Sequence, residues 1–168
     1  DESPSGKLAM TFPRHVGQIP VYLGQRLSGR PTEGHYLDCP MEPLYGYGYG
    51  LSYTTFEYSD IRLSKSEFTR DETLRAEITV TNTGQRAAKE TVLWYIRDHV
   101  GTYTRPLKEL KHFEKQEIAA GESRRFVFEI VPRRDLAYPD NNGNMLLEPG
   151  LFTVFAGSEK EAQFRLIK

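Results

Sequence analysis

Leu74-Arg75-Ala76-Glu77-Ile78-Thr79-Val80-Thr81 alternates apolar and polar side chains without a break. A period of two is the signature of a strand with one buried face and one wet face. Asn82-Thr83-Gly84 follows it and marks a turn. Downstream, Val92, Trp94 and Ile96 form a second apolar row, with Leu93 and Tyr95 filling the positions between them. That strand is expected to be central and buried on both faces, with Trp94 in the core. Upstream of the quoted stretch, the β-rich pattern begins near residue 57.

The same reading extends to the end of the chain. Phe126, Phe128 and Ile130 follow a turn at Ala120-Gly121-Glu122, and Phe152, Val154 and Ala156 follow Glu148-Pro149-Gly150. Asn142-Gly143 is a two-residue hairpin signal, and a short last strand is expected around Phe164 to Ile167. Arg133-Arg134-Asp135-Leu136 after Pro132 reads as one helical turn, and no long amphipathic helix is visible. About seven strands at regular spacing over residues 57–168 is the pattern of an all-β, two-sheet antiparallel sandwich, immunoglobulin-like or fibronectin III-like.

Residues 43–56 differ from this. Pro43-Leu44-Tyr45-Gly46-Tyr47-Gly48-Tyr49-Gly50-Leu51-Ser52-Tyr53 interleaves tyrosine with glycine. Glycine admits backbone shapes closed to other residues, and tyrosine adds a large ring with a polar tip. An ordered, packed connector is expected, with Tyr45, Tyr47, Tyr49 and Tyr53 as candidates for a contact between domains and a sugar-stacking surface as the competing reading. Residues 1–42 are irregular. Ile19, Val21 and Leu23 suit one short strand that Pro20 confines to an edge, and residues 24–42 read as loop. A loop of that length is unusual inside a compact domain. Residues 1–42 therefore read as the tail of a preceding domain, separated from its packing partner.

Composition excludes several classes. The chain has 22 basic and 23 acidic residues, interspersed, for a formal net charge of −1. No basic stripe points to nucleic acid, and no apolar run approaches the roughly 20 residues of a membrane span. The single cysteine, Cys39, rules out an internal disulfide and reads as a half-buried small hydrophobe. His15, His35, His99 and His112 lack zinc-ligand spacing. Asp140-Asn141-Asn142-Gly143 has oxygen ligands but not the spacing of a calcium loop. No metal or cofactor is expected. Glu109, Glu114, Asp135 and Asp140 read as solvated surface charges.

The order of several motifs resembles one family. Gly6-Lys7-Leu8 with Thr11-Phe12-Pro13-Arg14-His15-Val16-Gly17-Gln18-Ile19-Pro20 is similar to the last strand and exit of an α/β sandwich domain. Tyr36-Leu37-Asp38 through Pro43-Leu44-Tyr45 resembles the linker that follows. Gly48-Tyr49-Gly50-Leu51-Ser52-Tyr53-Thr54-Thr55-Phe56 resembles an entry into a fibronectin III-like domain. Val80-Thr81-Asn82-Thr83-Gly84, Tyr95-Ile96-Arg97-Asp98, Arg105-Pro106-Leu107-Lys108-Glu109-Leu110 and Glu148-Pro149-Gly150 continue it. Together they resemble the C-terminal region of glycoside hydrolase family 3, the β-glucosidases and β-xylosidases. Gly46-Tyr47 and His99 depart from the family pattern.

The resemblance implies a parent that removes terminal β-linked glucosyl or xylosyl residues with retention. Retention uses two carboxylates about 5–5.5 Å apart. In the family these are an aspartate of an N-terminal barrel and a glutamate earlier in the α/β sandwich domain, neither within these residues. The implied role is a non-catalytic module docked on the catalytic domains of the same parent chain. The alternative is a carbohydrate- or cell-surface-binding module. Tyr103 and Arg105, on the segment from His99 to Arg105, become candidates for a loop facing the catalytic cleft. The resemblance further implies a periplasmic or secreted parent. An isolated fragment is expected to expose its N-terminal surface and to be prone to dimerise through it.

Overall fold

The computed structural model describes residues 2–18, 21–24, 26, 39–40 and 42–168. Its strands are β1 (Phe56–Tyr58), β2 (Arg62–Leu63), β3 (Glu67–Phe68), β4 (Leu74–Asn82), β5 (Ala88–Asp98), β6 (Glu109–Ile118) and β7 (Ser123–Ile130). One helical turn, α1 (Pro132–Asp135), precedes β8 (Tyr138–Pro139), β9 (Met145–Leu146), β10 (Gly150–Ala156) and β11 (Lys160–Leu166). Two sheets face each other. In one, β4 is central, with β7 on one side and β1 and β2 as two halves of a broken edge on the other. The other runs β3-β11-β10-β5-β6, antiparallel except for the short β3–β11 pairing. β8 and β9 form a separate hairpin.

The alternation that defines β4 packs as expected: Leu74, Ala76, Ile78 and Val80 are buried and meet Phe126, Phe128 and Ile130 of β7 and Val92, Trp94 and Ile96 of β5. Trp94 and Phe128 meet across the two sheets at 6.0 Å, and within the five-stranded sheet Phe152 stacks on Phe164 at 5.6 Å and Phe68 lies edge-on to Phe164 at 5.7 Å. Each such side chain, fully buried, contributes roughly 1.5–3 kcal/mol. Asn82 closes β4 as a buried junction. Its Nδ2 donates to the Arg86 and Ile118 carbonyls, and its Oδ1 accepts from Thr54 Oγ1 and the Gly84 N–H. The turn residue thus links both sheets and the connector.

Several expectations are corrected. Asp135 is buried, because its carboxylate folds back to accept the Val131 N–H at 2.7 Å and bonds from Arg134 Nε and Nη2. The Asn142-Gly143 turn is a three-residue loop. Asp140 N–H donates to the Asn144 carbonyl, and Gly143, at φ 86°, donates to the Asp140 carbonyl. A left-handed glycine after the turn is what such loops require. Glu109 and Glu114 are half-buried and bonded: Glu109 holds Arg105 and Lys111, and Glu114 accepts from Gln116 Nε2 and the Val127 N–H. The last strand starts earlier, at Lys160. Val21 joins no strand, its carbonyl accepting from Thr11 Oγ1 at 2.6 Å. Ile19, Pro20, His35 and Tyr36-Leu37-Asp38 lie outside the described residues.

Candidate functional site

Residues 2–12 run beside the connector. Leu8 N–H donates to the Tyr49 carbonyl and Gly48 N–H to the Leu8 carbonyl. Phe12 N–H donates to the Tyr45 carbonyl and Leu44 N–H to the Phe12 carbonyl. This two-ply ribbon lies on β5. Thr91 Oγ1 donates to the Ser5 carbonyl, and Ser3 Oγ accepts from the Tyr53 N–H. Within the segment expected to lack a packing partner, residues 2–12 thus find one inside the chain.

The tightest link is ionic. Glu90 shares the phase of the core row Val92, Trp94 and Ile96, and its side chain is only 6% exposed. Its Oε1 accepts from Lys7 Nζ at 2.8 Å and from the Tyr58 hydroxyl at 2.7 Å. Burial and then the Glu90 charge push the Tyr58 phenol far above its ordinary range. An acidic residue in register with an apolar row was the available sequence signal for this site.

The other phase of β5, Leu93 and Tyr95, is buried by the connector. A Cβ on Gly48 would stand 2.9 Å from both Leu93 Cδ1 and the Tyr95 hydroxyl oxygen, and Gly48 sits at φ 84°. Only glycine fits there without strain. Tyr47 lies edge-on to Tyr95 at 6.5 Å, and burial together with Tyr47 pushes the Tyr95 phenol up to about 12. Between connector and sheet is a cleft of about 700 Å³ whose walls include Tyr47, Tyr58, Glu90, Tyr95 and Lys108.

The remaining tyrosines face outward. Tyr45 and Tyr49 pack ring on ring at 4.6 Å with a 35° tilt, and Phe12 meets Tyr45 edge-on at 72°. All three are exposed, as are Leu51 and Tyr53. Among the described residues, nine large apolar side chains between Met10 and Tyr53 are exposed, against five in the rest of the chain. The structure therefore separates the predicted cluster: Tyr47 belongs to the sandwich, and Tyr45, Tyr49 and Tyr53 to an outer face.

The segment from His99 to Arg105 is clasped at the opposite end of β5. Glu148 accepts from the Thr102 N–H and Oγ1 and from the Tyr138 hydroxyl, and the Thr102 bonds, first, hold its carboxyl below the usual range. Arg105 stacks on the Tyr138 ring at 4.1 Å and pairs with Glu109 and, at 3.7 Å, Asp98. Burial raises the Asp98 carboxyl. Tyr103 is half-buried beside a cavity of about 220 Å³ that Arg105 also lines. Cys39 is a free, half-buried thiol, and His15 accepts from the Gly17 N–H.

The fibronectin type III-like domain family ("Fn3-like") matches residues 90–160. A putative β-xylosidase of Formosa agariphila is 43% identical over 99% of this chain, which spans 22% of that protein. Nearly the whole chain is thus similar to a region of β-xylosidases and β-glucosidases, and its residues 90–160 match a fibronectin type III-like domain. The periplasmic β-glucosidase of Salmonella typhimurium is similar to this module at 40% identity, over 99% of the chain and 23% of its own length. The crystal structure of β-glucosidase from Listeria innocua in complex with gluconolactone superposes with a TM-score of 0.90 at 37% identity, covering 99% of the module and 25% of that protein. The module spans about a fifth to a quarter of the relatives it matches. Their similarity includes the N-terminal ribbon, not only the sandwich. No helix among the described residues is long and apolar enough to cross a membrane.

Proposed function

We propose that this chain is a non-catalytic C-terminal module of a retaining β-glycosidase acting on terminal β-linked glucosyl or xylosyl residues. It docks on the catalytic domains of its own parent chain and stabilises them. Residues 1–42 are the tail of the preceding α/β domain, residues 43–56 the connector, and residues 57–168 the sandwich. The observation that carries this reading is the aromatic face of Phe12, Tyr45 and Tyr49, exposed yet held by backbone bonds within the ribbon, which the Lys7–Glu90 pair and the Thr91–Ser5 bond join to the sandwich. A fixed, bare apolar face is suited to burial against another domain. The buried and half-buried carboxylates support it too. Glu90, Asp98, Glu109, Asp135 and Glu148 all spend their oxygens on bonds that hold the fold. By likeness to the periplasmic relative, the parent is periplasmic or secreted.

A carbohydrate-binding module is the second reading, favoured by the Tyr45–Tyr49 ring pair. A flat glucan wants coplanar rings, and the 35° and 72° angles within Phe12, Tyr45 and Tyr49 favour docking instead. The test is made in the full-length parent with Tyr45→Ala and Tyr49→Ala. Loss of thermal stability in the parent, with little change in the isolated chain, is expected. Release of nitrophenol from aryl β-glycosides by the isolated chain, abolished by changing one of its own carboxylates, would overturn the proposal. Retention of the isolated chain on insoluble glucan would favour the second reading.

A further inference from the structure

Of the chain's four asparagines, Asn142 has surroundings unlike the rest. Asn82 is buried with its side chain held by four bonds, and the Thr83 N–H beyond it donates to the Thr55 carbonyl at 2.9 Å. Asn141 is followed by the Asn142 N–H, which the Asp140 carboxylate holds at 2.8 Å. Asn144 donates to that carboxylate through its N–H and its Nδ2, and Met145 beyond it lies in β9. Asn142 is exposed, and its side chain has no hydrogen bond among the described residues. The next residue, Gly143, is exposed too, and its N–H has a single 3.1 Å bond to the Asp140 carbonyl. A Cβ built on Gly143 would meet nothing within 4 Å, so no neighbour crowds this amide. Bonds to a charged acceptor are roughly twice as strong as neutral ones, and exposed loops open locally at little cost. The Gly143 N–H is therefore easier to free than the Asn142 and Asn144 N–H groups beside it.

We infer that Asn142 is a site of spontaneous covalent modification, deamidation to aspartate and isoaspartate, and that the isoaspartate form unlatches the segment from His99 to Arg105. The Gly143 nitrogen attacks Asn142 Cγ. The N–Cγ bond forms and the Cγ–Nδ2 bond breaks. The Gly143 amide proton passes to solvent, and the departing nitrogen takes one up and leaves as ammonia. Water then opens the cyclic imide. Cleavage at Cγ gives aspartate, whereas cleavage at the main-chain carbonyl gives isoaspartate, whose backbone runs through Cβ and Cγ. Nothing is oxidised or reduced. Isoaspartate puts one more methylene into the backbone between positions 142 and 143. The bonds from Gly143 and Asn144 to Asp140 span that point and cannot keep their geometry. β8 and β9 share only two residue pairs, so the loop sets their register. Tyr138 of β8 is buried, donates to Glu148 and stacks against Arg105 at 4.1 Å, and Glu148 in turn holds Thr102. A slip of β8 against β9 thus reaches the clasp on that segment.

The test ages the folded chain in mildly alkaline buffer beside Asn142→Ser and Asn142→Asp and maps the peptides by mass spectrometry. Both variants suit the position, since among the described residues only glycines have positive φ. Amide-to-acid conversion is expected at Asn142 ahead of Asn82, Asn141 and Asn144, with isoaspartate in excess of aspartate. The aged chain then melts lower than the fresh chain and is cut by protease between His99 and Arg105. Aged Asn142→Ser, which cannot form the imide there, and fresh Asn142→Asp, which keeps the native backbone, melt close to the fresh chain and stay uncut in that segment. Conversion first at another asparagine overturns the site. So does an unconverted Asn142 in the folded chain under conditions that convert it in urea. Full conversion with the melting temperature and the cleavage pattern unchanged overturns the unlatching. A fresh Asn142→Asp that melts as low as the aged chain overturns it too, because the added charge and not the lengthened backbone would then be the cause.

Discussion

Lys7→Met probes the joint on which the connector face depends. The substitution keeps most of the aliphatic stem and removes the cation from a carboxylate whose side chain is 6% exposed. The Tyr58 hydroxyl still donates to Glu90, a charge-assisted bond worth about 1.5–3 kcal/mol, yet the charge itself is left uncompensated. Removing one partner of a buried ion pair costs about 3–5 kcal/mol. The lysine end is 21% exposed, so water reaches the site, and about 2–3 kcal/mol is the better expectation. At about 2–4 °C per kcal/mol for a chain of this size, the melting temperature falls by about 4–12 °C. Residues 2–12 should also become a protease site, since their remaining bonds to β5 are few.

The reverse substitution sets the standard for refutation. Glu90→Gln retains the acceptor for Tyr58 and leaves an ammonium that water can partly hydrate, so about 1 kcal/mol or less is lost. Lys7→Met combined with Glu90→Gln should recover most of the loss of Lys7→Met alone, since no buried charge remains. Urea midpoints at unchanged slope would measure all three. If Glu90→Gln costs as much as Lys7→Met, or if the double variant is worse than either, then Glu90 is not a charge held in the core row and the ribbon is fastened by something else.

Gly48→Ala should destabilise the isolated chain by about 1–3 kcal/mol, because the residue sits at φ 84° and the new methyl would meet Leu93 and Tyr95 at 2.9 Å; an unchanged melting temperature would remove the connector from that face. Glu148→Gln should flatten the acid limb of the stability profile. The depressed carboxyl of Glu148 contributes stability above its ordinary value of 4.5, lost as pH falls through the lower folded value, and thermal melts between neutral and acid pH would register the difference. Asp135→Ala should cost about 1–3 kcal/mol by leaving the Val131 N–H without its acceptor, whereas Arg134→Ala should cost less, its side chain being 62% exposed; equal losses in denaturant titrations would contradict this.

The sandwich was legible because its signal is local. Leu74 to Val80 and Phe126 to Ile130 alternate at the spacing of a pleated strand, and that period survives intact in β4 and β7. The double burial of β5 was legible from Leu93 and Tyr95 standing between core residues. What covers them was not, since Gly48 and Tyr95 are far apart in the chain and no periodicity links them. Asp135 was misread for a related reason. Its partner is a backbone N–H four residues earlier, and only folded geometry aims it there. The outer aromatic face was visible as composition, but its division between Tyr47 and the other tyrosines depends on which ring the ribbon turns inward.

An antiparallel sheet commonly leaves one face to water. Here that face, along β5, is apolar and is covered by the chain's own N-terminal ribbon and connector. The cover cannot lift without exposing Leu93 and Tyr95 and stripping Glu90 of its cation. The rings it displays outward are therefore fixed relative to the sandwich, although they touch little of it. Ordering such rings on association costs little further entropy, because the fold has already ordered them. A loose tether bearing the same tyrosines would lose that advantage. This is the physical reason for proposing that the tyrosine-glycine stretch is a mounting surface rather than a spacer, and under that proposal the Lys7–Glu90 pair, remote from the rings, helps set how firmly they would dock.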